Sequence, residues 1–265
     1  MDYLILAAIG ILMGFFGGLL GIGGSVVMIP ALVLAFGENQ HLYQAAAMIC
    51  NFFVGVSAVT VHKKAAVLTP DILKWLIPSA VLGVIAGVAI SNSSIFAGAN
   101  SYLLARIFGG FMVYMIIYNC WKLKQGRIEN EESIFMNSSF LHSRVLTILC
   151  GLLTGIFAGL LGLGGGVICV PAQQLFLKMP LKRAISNSAA TIASIALIGA
   201  AYKNLTLADH GINITESLRI AAVVIPTAIL GSFGGAKSMH KLPHNVVRAA
   251  FILLAIAACY KLLTV

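Results

Sequence analysis

The chain has 265 residues, of which 60% are hydrophobic and only 9% are charged. A water-facing globular surface needs about 25% charged residues, so a cytosolic enzyme, a disordered chain and a secreted disulfide scaffold are excluded. The formal net charge is +9. The basic residues stand in short loops between apolar runs, so they read as topology signals and lipid-headgroup contacts, not as a nucleic-acid surface.

Apolar runs cover residues 3–36, 43–61, 72–91 and 102–121. A polar stretch follows from Lys122 to Arg144, and further runs cover 145–177, 184–201, 217–236 and 246–263. Six of these eight runs approach the length of about 20 residues that spans a bilayer. The first and the fifth are too long. As one helix, the 34 residues of the first would reach about 51 Å, against a hydrocarbon core of about 30 Å. Each carries its own breaking point: Gly21-Ile22-Gly23-Gly24-Ser25 with Pro30, and Gly162-Leu163-Gly164-Gly165-Gly166 with Pro171. Gly costs about 1 kcal/mol in a helix interior and Pro about 3, so each long run is expected to be a helix, a glycine break and a shorter helix. Both ends of each pair then emerge on one side of the membrane. The opening Met-Asp-Tyr has no basic n-region, and targeting is expected to rest on the membrane segments themselves.

Residues 14–31 read GFFGGLLGIGGSVVMIPA and residues 155–172 read GIFAGLLGLGGGVICVPA, with 11 of 18 positions identical. Leu42-Tyr43-Gln44-Ala45 pairs with Leu181-Lys182-Arg183-Ala184. Pro78, Gly83 and Gly87 pair with Pro226, Gly231 and Gly235. The expected organisation is an N-terminal repeat (1–121), a cytoplasmic linker (122–144) and a C-terminal repeat (145–265). Placing Lys63, Lys64, Lys74, the linker, Lys178, Lys182, Arg183, Lys237, Lys241 and Arg248 inside puts 13 of 17 basic residues on the cytoplasmic face. Arg106, Lys203, Arg219 and Lys261 remain outside, as do both termini. The two copies then cross in opposite senses. Inverted repeats with glycine-broken helices at matching positions are the mark of a secondary transporter.

A helix N-terminus offers unpaired backbone N–H groups and about half a positive charge. Two such ends near mid-membrane would make an anion site without a buried cation. The expected site is Gly21, Gly23, Gly24 and Ser25 with Gly162, Gly164, Gly165 and Gly166. Polar residues in apolar helices join them because they are costly in lipid: Asn51, Gln173, Ser186, Asn187 and Thr191. Gly14 with Gly18 and Gly155 with Gly159 read instead as small-xxx-small packing pairs. No GK[ST] phosphate loop, dinucleotide motif or metal-ligand spacing occurs, so no cofactor or metal is expected. All eight acidic residues lie in loops or at run ends. The six His are read as interfacial. The five Cys are read as buried free thiols. An intramembrane enzyme is therefore disfavoured, and an anion channel on the same scaffold is the rival to a transporter.

The duplicated motif, GxxxGLLGxGGGxxxxPA in its second copy, resembles that of the sulfite exporter TauE/SafE family, also called the toluene-sulfonate uptake permeases. The resemblance extends to Ala-Ile-Ser-Asn-Ser from Ala184 and to the Pro-x-x-x-x-Gly-x-x-x-Gly helices at Pro78 and Pro226, and covers essentially the whole chain. It implies a multi-pass inner-membrane permease for a small sulfur oxyanion, organosulfonate or related carboxylate. The coupling ion (H+ or Na+), the direction and a homo-oligomeric state stay open. The first copy departs at Ser25, where the second has Gly166, and lacks the Ser/Asn cluster, so the two half-sites are expected to contribute unequally.

Overall fold

The computed structural model describes residues 2–37, 39–64, 68–93, 144–162 and 164–239, with scattered positions in 106–123 and 241–256. The linker and the apolar runs expected at 102–121 and 246–263, the last helix of each copy, fall largely outside the described residues. Within them the chain is all helical. The first half gives α1 (Tyr3–Leu20), α2 (Ser25–Phe36), α3 (Gln40–Lys64) and α4 (Pro70–Ser91). The second gives α5 (Arg144–Leu161), α6 (Gly166–Phe176), α7 (Leu181–Leu205) and α8 (Ile214–Met239). A 3-10 turn at Leu207–His210 joins the last two.

The long runs break where glycine and proline require. Asp2 caps α1, its side chain accepting from the Leu4 amide. Gly21 ends α1 at φ 60, a left-handed conformation costly for any residue with a Cβ. Gly162, its counterpart after α5, stands at φ 69. The helices that follow are short. The 12 residues of α2 span about 18 Å, well under a bilayer core. Pro30 and Pro171 each occupy the sixth residue of their short helix. Among the described residues six other helices are long and apolar enough to cross a membrane. Large apolar side chains such as Leu4, Leu82 and Leu230 point outward, as a lipid-facing surface demands.

Packing relates the two halves reciprocally. Gly10, Gly14 and Gly18 of α1 lie against Val224, Ala228 and Ser232 of α8, so those helices run parallel. Gly151, Gly155 and Gly159 of α5 lie against Leu76, Ala80 and Val84 of α4 in the same manner. Side chains at Gly14 or Gly155 would run into the partner's backbone. These glycines are packing residues, allowing close helix approach. At the centre α3 crosses α7: Ala45 meets Asn204, Met48 meets Gly199 and Gly55 meets Ala193. α3 and α7, the corresponding helices of the two copies, thus run antiparallel. Lys63, Lys64, Lys74, Arg144, Lys182, Arg183 and Lys237 gather at one end of the bundle, with the Arg144 guanidinium 5.4 Å over the Trp75 ring.

Three expectations change. Lys203 is not a loop residue. It lies in α7, 1% exposed, and donates to Ser91 Oγ at 2.6 Å and Asn92 Oδ1 at 3.2 Å. Cys120 is exposed, whereas Cys50, Cys150 and Cys169 are buried; Cys259 lies outside the described residues. His41 and His62 do sit near the two ends of α3, yet both are buried.

Candidate functional site

The two glycine breaks meet. A Cβ built on Gly166 would collide with the Gly21 carbonyl oxygen and Ile22 Cα, so only glycine fits there. The Gly21 carbonyl also accepts from Ser188 Oγ of α7 at 2.6 Å. Each break folds back on its own first helix in the same way: Gly24 abuts Met13, and Gly165 abuts Thr154.

The crossing helix α3 supplies the polar centre. Asn51 Oδ1 accepts from the amides of Gly24 at 2.8 Å and Ser25 at 3.2 Å, and Asn51 Nδ2 donates to Ser25 Oγ at 2.9 Å. A side chain 26 residues away along the chain thereby does the work of an N-cap, satisfying two of the donors that open α2. The same Nδ2 would lie 2.7 Å from a Cβ on Gly164 of the other break. Asn51 therefore touches both halves.

The second break is built differently. Among the described residues no side chain accepts from the Gly165 or Gly166 amide. Ile192 of α7 presents its Cδ1 to Gly166 (2.6 Å from a built Cβ) and its Cγ2 to Gly164 (3.3 Å). Ile192 follows Asn51 by 141 residues, the spacing that also separates Gly21 from Gly162 and Ser25 from Gly166. Helices α3 and α7, each 25 residues, start at that same spacing. The spatial register of this helix pair thus differs by two residues from the match of Leu42 with Leu181.

The remaining expected residues divide. Gln173 is buried; its Nε2 donates to Cys169 Sγ at 3.0 Å and its Oε1 accepts from Asn187 Nδ2 at 3.3 Å. Asn187 Oδ1 also accepts from the Thr69 amide at 3.0 Å. Thr191 donates to the Asn187 carbonyl one turn back, at 2.9 Å. Ser186 is turned onto its own helix, donating to the Lys182 carbonyl at 2.8 Å, and joins neither break.

Sequence reading missed Thr154, Cys169, Ile192 and Gln44. Gln44 had a visible signal, an amide at the mouth of an apolar run. It is fully buried, its Cγ would lie 2.6 Å from a Cβ on Gly162, and neither carboxamide atom has a hydrogen-bond partner.

Comparison with known proteins finds relatives named as membrane transporters. The chain is 28% identical to the "probable membrane transporter protein MamO" of Paramagnetospirillum magneticum over 99% of its own length, and spans 45% of that longer protein. It is 28% identical to the "probable membrane transporter protein MJ0441" of Methanocaldococcus jannaschii, covering 85% of this chain and 79% of that one. With the "probable membrane transporter protein YunE" of Bacillus subtilis it shares 24% identity over 98% and 97% of the two chains. No solved structure matches the chain significantly. A model of the sulfite exporter TauE/SafE family matches residues 6–262, and this multi-pass membrane protein belongs to that family of transporters.

Proposed function

We propose that the protein is a secondary transporter that moves a small anion, a sulfur oxyanion or organosulfonate, across the inner membrane by alternating access. The two halves act as inverted-topology repeats that rock about the glycine breaks. One observation carries the reading: the breaks pack directly on each other at the crossing of α3 and α7. Antiparallel corresponding helices support the inversion, and paired half-length helices support a shared site. A contact too tight for a Cβ favours a gate that opens and closes over a standing pore. The anion then enters when the breaks part and expose helix-end amides. The basic end of the bundle faces the cytoplasm in this reading, and both termini lie outside.

Reconstitution into liposomes tests this with sulfite, sulfate, a sulfonate and a carboxylate. Uptake stimulated by trans substrate is expected, and its absence alongside passive flux would establish the channel instead. Imposed pH and Na+ gradients identify the coupling ion. Gly23→Leu and Gly164→Leu are each expected to abolish transport while the protein still reaches the membrane; normal flux in both would refute the site. Cysteines placed at Lys64 and Lys237 should react from the cytoplasm and one at Asp209 from outside. Reaction of the first two from opposite faces would break the topology.

A further inference from the structure

The two breaks offer different chemistry to an anion. The first is already satisfied, because Asn51 holds the Gly24 and Ser25 amides. An incoming anion would have to displace a carboxamide that is itself anchored by Ser25 Oγ. The second has no such partner, and faces Ile192 instead.

A second, independent feature lies at the same break. Gln44 is buried without a hydrogen bond to either carboxamide atom. Buried polar groups are almost always paired, and an orphan costs stability. Gln44 stands seven residues before Asn51, two helical turns, so both amides share one face of α3. That face lies on the second break: Asn51 on Gly164 and Gln44 on Gly162. An amide donor kept unpaired there suits a ligand that arrives when the halves part.

We propose that the transported anion is taken at the second break, by the amides that open α6 together with Nε2 of Gln44 from the opposite half, while Asn51 keeps the first break closed. This rests on the anion-transporter reading above and narrows it to one half-site with a named side-chain ligand.

The test uses the full chain, purified and reconstituted, with sulfite as probe. Gln44→Leu removes both polar atoms at similar volume, and Gln44→Glu places an acceptor and a negative charge at the same point. Gln44→Leu is expected to raise the sulfite KM at least tenfold, with sulfite-free thermal stability unchanged or higher. Gln44→Glu is expected to be worse than Gln44→Leu. A sulfite KM within twofold of the parent in Gln44→Leu overturns the inference and leaves the transporter reading standing, as does Gln44→Glu outperforming Gln44→Leu. Parent protein that takes up none of sulfite, sulfate, a sulfonate and a carboxylate, and shows no thermal shift with any of them, overturns both. Should Gln44→Leu fail to fold, Ile192→Asn carries the test with Gln44 intact. A carboxamide there would cap the second break as Asn51 caps the first, and sulfite KM should rise at least tenfold; an unchanged KM overturns the inference.

Discussion

The first and second glycine breaks share a motif, a left-handed glycine at the end of the first helix, and a short second helix with proline at its sixth residue. They differ at Ser25 against Gly166, in the backbone of Gly24 (φ -82) against Gly165 (φ 82), and in the residue the crossing helix lays on each. Asn51 closes the first with three hydrogen bonds; Ile192 lies on the second with none. The lesson is that glycine decides that the chain bends, while a side chain from a distant helix decides what the bend can bind.

The largest expected effect comes from making the second break resemble the first at the point of contact. Gly166→Ser gives it the residue of the first copy, but the new Cβ meets the Gly21 carbonyl and Ile22. Overpacking of this kind costs about 1–3 kcal/mol, and transport should fall at least a hundredfold in proteoliposomes. The reciprocal change Ser25→Gly should keep most activity; equal loss in both would erase the asymmetry.

Asn51→Leu comes next. It strips the Gly24 and Ser25 amides of their acceptor, and unsatisfied buried groups cost about 1–3 kcal/mol each. A drop of several degrees in melting temperature is expected by scanning fluorimetry in detergent. Ile192→Leu, its counterpart, breaks no hydrogen bond and should cost under about 1.5 kcal/mol. If the two variants melt together, Asn51 is not a cap.

The smallest effects concern single bonds. Ser25→Ala removes the anchor of Asn51 Nδ2, and Ser188→Ala removes the donor to the Gly21 carbonyl. Each should lower stability by about 0.5–1.5 kcal/mol. Ser25→Ala should also loosen Asn51 and leave sulfite KM within threefold. A tenfold rise would place the first break in the binding site after all.

Much of the architecture was legible in the residues. Apolar run lengths of about 20 identify membrane helices because lipid cannot satisfy a bare backbone. Two runs too long for one crossing, each interrupted by Gly and Pro, locate the breaks to within a residue or two. The duplicated motif announces the two copies, and Gly14 with Gly155 reads correctly as packing. Lys203 shows where such reading fails. A basic residue near the end of an apolar run looks like a loop charge, but the helix continues past it and Ser91 and Asn92, over a hundred residues earlier, receive it. Ser186 shows the opposite: its hydroxyl has a carbonyl of its own helix within reach, so a polar residue in an apolar run need not bond to either break.

The residues by themselves determined the class and the points where the backbone must turn, since hydropathy and the conformational cost of Gly and Pro act over a few neighbours. Only the tertiary structure decided that the turns touch, that Asn51 seals one of them and that Gln44 waits unpaired at the other. Those facts depend on how α3 crosses α7 and the two breaks, and close packing between segments far apart in the chain leaves no local trace.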